Sequence, residues 1–86
     1  MAVRAKFRCM SVTERFTQPE KPYQWDVRLL PVMYRKDGTY DPGAENKTFW
    51  DATPAGEISL TITNPAAAKA FRPGQAYYID FVEAGD

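Results

Sequence analysis

The sequence predicts a mainly β protein: a small five-stranded barrel with one short helical turn before the last strand. Two runs, residues 57–63 and 77–81, alternate apolar and polar side chains with the period of two that half-buried strands require. Between them, Asn64 is a good helix N-cap, Pro65 suits the first helical position, and alanines dominate residues 66–70. Closing the sheet removes edges that would otherwise aggregate.

The predicted core comes from the apolar positions of these two runs. At 86 residues the chain forms one domain, residues 1–86, and buries only about 60–65% of its unfolded surface. Phe71 is expected to hold the helical turn against the core. The expected core face comprises Ile58, Leu60, Ile62, Tyr77, Ile79 and Phe81.

The first strand is predicted over residues 3–12, with Arg4, Lys6 and Arg8 on its polar face. After Cys9 the apolar positions change face, which indicates either a strand that enters a closed barrel or a β-bulge that re-aims it. Residues 13–22 are polar and contain two prolines, and this composition favours a loop.

The second strand is predicted over residues 23–34, interrupted by Pro31. Residues 35–47 contain two turn signals, Asp-Gly and Pro-Gly, and are expected to form an exposed loop or loose hairpin. Residues 48–50 form a short third strand in this interpretation. The helical turn then has the SH3-like position, but if 48–50 only extends the second strand the order is OB-like, and both remain open.

Side chains for catalysis are scarce. The chain has no histidine, the commonest general base and the usual partner of serine or cysteine nucleophiles. Cys9 is the single cysteine and lies on the apolar face of the first strand, so we expect a buried thiol. Asp37, Asp41 and Glu45 do not match an EF-hand. We therefore predict a protein that is not an enzyme and has no cofactor and no metal site.

A cytoplasmic setting is predicted. One cysteine allows no intrachain disulfide. The chain has no run of about 18 apolar residues, and its N-terminal segment interleaves basic with apolar residues, unlike a signal peptide. We expect no membrane association.

Charge is distributed unevenly along a chain of zero net charge. Residues 1–36 contain eight Lys/Arg and three acids, whereas residues 37–86 contain three Lys/Arg and eight acids. Such asymmetry can produce a positive face that attracts anions. Alternatively, the two halves interleave in the fold and their charges cancel; the sequence leaves both interpretations open.

Basic and aromatic residues together suggest a ligand. Cations bind phosphates and aromatic faces stack on bases, so such a set suits single-stranded nucleic acid or a nucleotide. Any one aromatic is also a candidate for the core, and Tyr40 and Trp50 are the better candidates for exposure. The predicted ligand-binding residues are Arg4, Lys6, Arg8, Trp25, Arg28, Tyr34, Arg35, Lys36, Tyr40, Lys47 and Trp50. Phe49 belongs to the same basic and aromatic set, and the alternative is that Trp25 and Phe49 are core residues.

Three motifs carry a family resemblance: ENKTF at 45–49, TPAGEISLTITNP at 53–65 and FRPGQAYYIDF at 71–81. Through them the chain resembles small β proteins encoded by tailed bacteriophages and prophages. The resemblance covers residues 45–81 and implies a phage origin and a compact β fold. It supplies no functional residues.

Two shorter motifs, KPY at 21–23 and FRPG at 71–74, are similar to the single-stranded DNA-binding proteins of filamentous phages. Those proteins are OB-fold dimers of nearly this length. The resemblance implies single-stranded DNA as a ligand and a homodimer or higher oligomer.

Three functions are therefore predicted for a cytoplasmic protein of an infected bacterial host. The first is non-enzymatic binding of nucleic acid or a nucleotide through the basic and aromatic set. The second is binding and inhibition of a host protein, including a defence protein, through residues 35–50. The third is a small structural or assembly component of the virion.

Overall fold

The computed structural model describes residues 3–18, 21–43, 46 and 56–85. The described elements are four strands and one short helix: β1 (Val3–Gln18), β2 (Lys21–Pro31), β3 (Ile58–Ile62), α1 (Pro65–Ala68) and β4 (Ala76–Phe81). The strands form one antiparallel sheet in the order β3-β2-β1-β4. The mainly β class and the helical turn before the last strand are confirmed.

The sheet is open, so the predicted five-stranded barrel, OB-like or SH3-like, is wrong. β4 pairs with residues 3–8 of β1, whereas β2 pairs with residues 7–18 of the same strand. The two neighbours of β1 therefore pair mostly with different parts of its length. The edge strands β3 and β4 lie apart, and no ladder joins them in the described part of the chain. The strand predicted at 48–50 lies outside the described residues.

A β-bulge explains the change of apolar face after Cys9. The pairing of β1 with β2 shifts register between Cys9 and Ser11, which leaves Met10 as the extra residue, 50% exposed. Because of this insertion, Val12 lies on the same face as Cys9 and pairs with Val27, a core residue. The bulge interpretation is confirmed, and the apolar face continues unbroken past it.

The loop predicted at 13–22 is wrong for residues 13–18 and 21–22, which are strands, and residues 19–20 lie outside the described residues. β1 continues to Gln18 and β2 begins at Lys21, so the first two strands form one long hairpin. β3 pairs only with residues 25–29 of β2, and residues 25 and 26 pair with Glu14 and Thr13 of β1. The outer part of the hairpin, residues 15–18 and 21–24, is therefore a two-stranded arm. Proline is tolerated in such a strand because one of its edges lacks a neighbour.

The core lies on one face of the sheet, and the predicted core face is confirmed at four of six positions. Its buried members are Ala5, Phe7, Cys9, Val27 and Leu29, and the partly buried Val12, Ile58, Ile62, Phe71, Tyr77 and Ile79 pack against them. Leu60 and Phe81 are 38% and 51% exposed, so their placement in the core is wrong. Phe81 is the last residue of β4 and lies opposite Val3 at the start of β1, away from the buried residues. Leu60 lies on the edge strand β3, where Ile58 and Ile62 are also only partly buried.

The helical turn is built as the sequence predicts. The Asn64 side chain accepts a hydrogen bond from the Ala66 N–H at 2.9 Å, and Pro65 occupies the first turn. The Tyr77 hydroxyl donates to the carbonyl of Ala70 and accepts from the N–H of Arg72. This hydroxyl ties the end of the helical segment to β4, in agreement with the predicted packing of the turn on the core.

A buried side-chain amide hydrogen-bonds to backbone groups of β1 and of the segment that follows Pro31, where β2 ends. The side chain of Asn46 is 1% exposed. Its Oδ1 accepts from the Lys6 N–H at 2.6 Å, and its Nδ2 donates to the carbonyls of Lys6 and Val32 at 2.7 and 3.0 Å. Only this orientation of the amide matches one donor and two acceptors. Asn46 therefore joins β1 to the segment after β2, and it shares the Lys6 carbonyl with the N–H of Val32, which donates to it at 3.0 Å.

Candidate functional site

The polar face of the sheet carries an open groove where β2 ends. Cross-strand pairing places Arg8 opposite Leu30, on the face away from the core. The groove has a volume of about 300 Å³. Its lining combines apolar and basic side chains: Arg8, Met10, Leu30, Pro31, Val32, Met33, Tyr34, Arg35 and Lys36. We call this feature the basic groove.

Arg8 is fixed in the groove by two backbone carbonyls. One terminal nitrogen of its guanidinium donates to the carbonyl of Gly74 at 2.7 Å, and the other donates to that of Tyr34 at 3.3 Å. The turn that carries Gly74 is itself bonded to β1, with the Gly74 N–H donating to the carbonyl of Cys9 at 2.8 Å. Gly74 has φ +89°, a conformation that favours glycine. The Pro-Gly turn thus positions a cation whose bonds to neutral carbonyls leave its charge uncompensated.

A small hairpin forms the aromatic rim of the groove. Tyr34 and Tyr40 pair through an isolated antiparallel bridge, and their rings meet edge to face with centroids 5.7 Å apart. The side chains are 52% and 55% exposed, which confirms the expectation for Tyr40. Gly38, with φ +91°, turns the hairpin, and an Arg35–Asp41 ion pair of 2.8 Å closes its base. The predicted loop at 35–47 is therefore a short hairpin over its first part.

Most of the predicted positive face is neutralised. Four arginines are bonded to carboxylates at 2.6–3.1 Å: Arg4 to Asp80, Arg15 to Asp26, Arg28 to Glu57 and Arg35 to Asp41. In three of these pairs the base comes from residues 1–36 and the acid from residues 37–86. The interpretation in which the two halves interleave and cancel is therefore the better one for these arginines.

These carboxylates remain ionised at neutral pH. The pKa of each lies below its ordinary value. The hydrogen bond from the paired arginine is the largest cause for the lowered pKa of Asp26, Asp41 and Asp80, whereas for Glu57 the hydroxyl of Ser59 contributes most, ahead of its arginine. The four arginines therefore stay compensated at the pH at which an anionic ligand would bind.

Two of the three predicted cations without a carboxylate partner, in the part of the chain that the structure describes, line the basic groove. Among the predicted cations in the described residues, Lys6, Arg8 and Lys36 have no carboxylate partner within 4.0 Å. Arg8 and Lys36 line the basic groove. Lys6 lies on the same face of β1 but borders a separate depression beside Tyr78.

The structure separates the predicted site residues. Arg8, Tyr34, Arg35 and Lys36 line the groove, and Tyr40 adjoins it through Tyr34. The others described lie elsewhere: Arg4 stacks over the ring of Tyr78, with 4.9 Å from its guanidinium carbon to the ring centroid, and Arg28 lines a separate depression of about 340 Å³ next to β3. Lys47, Trp50 and Phe49 lie outside the described residues.

Trp25 does not belong with the predicted cations. It pairs with Ile62 across β2 and β3, on the same face as the core, whereas Arg28 is on the opposite face. Its ring centroid lies 6.5 Å from that of Tyr23 on the arm, and Tyr23 in turn meets Phe16 edge to face at 6.0 Å. Trp25 therefore belongs to an aromatic row that runs from the core onto the arm, with Phe16 66% exposed.

Sequence reasoning missed the apolar floor of the groove. Met10 and Met33 contribute thioether side chains, and Leu30 adds an aliphatic one. The signal for Met10 was present, since the change of apolar face after Cys9 indicates a bulge, and a bulge can turn the extra residue away from the core. No sequence pattern indicated that Met33 lines the groove, because its position depends on the path of the chain after β2.

We also searched the described residues for a reactive thiol, a metal site and a membrane-spanning helix. Burial is the main cause that raises the pKa of the Cys9 thiol above its ordinary value, and this disfavours the reactive thiolate. No cluster of three or more potential metal-ligating side chains occurs in the described part of the chain. Of the helical residues that the structure describes, none belong to a helix long and apolar enough to cross a membrane.

Comparison of the chain with protein-family models, curated proteins and solved structures finds no significant match. The resemblances to phage proteins therefore stay predictions from sequence.

Proposed function

We propose that the protein is a non-enzymatic binding protein that holds nucleic acid or a nucleotide in the basic groove. The observation that carries the proposal is the convergence of Arg8, from β1, with residues 34–36, from the segment after β2, around one groove. Residues separated by more than 20 positions in sequence thus supply cations, an aromatic rim and an apolar floor at one place. A site of this composition suits a ligand with both a phosphate and a flat ring.

Each part of the groove has a distinct task in this proposal. Lys36 is exposed and attracts the phosphate by charge. Arg8, partly buried and held by two carbonyls, supplies a fixed positive charge with little loss of side-chain entropy on binding. Tyr40 offers an exposed ring for stacking, which contacts the ring of Tyr34 in an edge-to-face arrangement.

The proposal predicts that Tyr40→Ala and Lys36→Ala each weaken binding of a short fluorescent oligothymidylate, measured by fluorescence anisotropy. Loss of one stacked ring costs about 1–3 kcal/mol, which is a fall in affinity of about 5-fold to 150-fold. Removal of Lys36 also makes the salt dependence shallower, by about 0.7 in the slope of log K against log salt for single strands.

Lys69→Ala is the matched control, because Lys69 is an exposed lysine just beyond α1 and outside the groove. It should leave the affinity unchanged. Equal affinity of the Tyr40 and Lys36 variants and the wild type would contradict the proposal, as would a lack of binding to any oligonucleotide or nucleotide. The second outcome would favour the alternatives from sequence, binding of a host protein or a role in the virion.

A further inference from the structure

Carboxylates on the polar face around the basic groove limit how far a negatively charged ligand can extend beyond the groove. A bound single strand must leave the groove along the polar face in some direction. Towards β3 it meets Glu57, and towards the arm it meets Asp26. Along β4 it passes Lys6 and Tyr78 and then meets Asp80, which is paired with Arg4. Each of these acids neutralises an arginine that would otherwise hold a phosphate, and each repels a phosphate at close range.

The groove itself has room for one small ligand. Its volume of about 300 Å³ is at the lower end of the range of about 300–1,000 Å³ typical of small-molecule sites. Its lining combines the apolar side chains of Met10, Leu30 and Met33 with the cations Arg8 and Lys36, a combination that suits one flat ring and one phosphate. Strand-binding grooves, in contrast, follow the backbone with cations over about 4–16 nucleotides.

We infer that the basic groove takes a single nucleoside phosphate and not a nucleic-acid strand. This inference rests on the proposed function and restricts its ligand class. The phosphate lies by Lys36 and Arg8, and the base lies on the methionine-rich floor or against the exposed tyrosine ring. The ion pairs of Arg4, Arg15 and Arg28 limit the footprint to the groove.

The first test compares thymidine 5′-monophosphate with thymidylate oligomers of up to about twelve nucleotides by isothermal titration calorimetry, using the full chain. We expect one binding site per chain. After correction for the number of equivalent positions that an oligomer offers, the affinity should change less than about threefold with oligomer length. The slope of log K against log salt should have a magnitude no greater than about 2. Affinity that rises more than about tenfold with length, with a steeper salt slope, would overturn the inference and leave the proposed function standing. A lack of binding to both ligands would overturn both.

A second test uses Glu57→Gln, which removes the negative charge that compensates Arg28 and leaves the groove intact. The variant should bind the longest oligomer at least about twice as tightly as the wild type does, because one more phosphate gains a cation. Its affinity for the mononucleotide should not change. If the oligomer gains nothing, the carboxylates do not limit the footprint and the inference is wrong.

Discussion

Replacement of Leu29 by alanine is expected to lower the free energy of unfolding by about 2–5 kcal/mol. Leu29 is 1% exposed and pairs with Cys9 on one side and Ile58 on the other, so it lies where three strands meet over the core. The cost combines the lost transfer free energy of the side chain with the cavity that it leaves. Urea denaturation followed by circular dichroism measures the change.

Leu60→Ala is the matched control because Leu60 is the same residue type on the same face, but 38% exposed on edge strand β3. It should lose only about 1 kcal/mol. If the alanine variant of Leu29 does not fold, Leu29→Met still tests the site, since a swap that conserves volume should cost less than about 1.5 kcal/mol. Equal losses for the two alanine variants would show that the core is centred elsewhere.

Replacement of Asn46 by aspartate is expected to destabilise the protein by about 3 kcal/mol or more at neutral pH. The amide donates to two carbonyls, those of Lys6 and Val32. A carboxylate there sets a charged oxygen against both carbonyl oxygens in a buried position. Asn46→Ala should cost about 2 kcal/mol, because it leaves polar backbone groups unpaired without adding a charge.

The aspartate variant has a distinctive pH dependence. Burial and the carbonyls raise the pKa of the new carboxyl in the folded state above the unfolded value of about 3.9. The charged form opposes folding, so the extra loss is full above the raised pKa and disappears as the pH falls towards the unfolded value, since a protonated carboxyl can donate to a carbonyl.

The comparison requires the difference in unfolding free energy between variant and wild type at each pH. The lowered pKa values of Asp26, Asp41 and Asp80 mean that the wild type also loses stability as the pH falls through them. Asn64→Asp serves as the control, because an aspartate is an equally good N-cap at that exposed position. A difference that does not depend on pH would contradict the buried contacts of Asn46.

The sequence predicted local structure better than closure of the sheet. Alternation and capping chemistry identified β3, α1 and β4, because these signals depend only on neighbours in the chain. The polar residues and prolines of the arm predict a loop, because no local pattern marks a strand there. The arm is a strand because β1 and β2 pair with each other. Whether edges meet depends on the relative register of all strands, which no local pattern records.

The candidate site was predicted only in part, for a related reason. The basic and aromatic set contained Arg8, Tyr34, Arg35, Lys36 and Tyr40, which the structure brings to one groove or its rim. Composition does not indicate which cations have carboxylate partners, because those partners come from distant strands. Alternation within β2 already places Trp25 on the face of Val27 and opposite Arg28, so Trp25 and Arg28 could not belong to one site on this strand, and the pairing of Trp25 with Ile62 agrees with that placement.

Binding in the groove at the end of β2 can be observed directly by ¹H–¹⁵N correlation NMR with thymidine 5′-monophosphate. We expect saturable shifts at Arg8, Met10, residues 33–36 and Tyr40. The amides of Phe16 and Tyr23 on the arm should not move. Shifts confined to the arm, with the groove amides unchanged at saturation, would contradict the account.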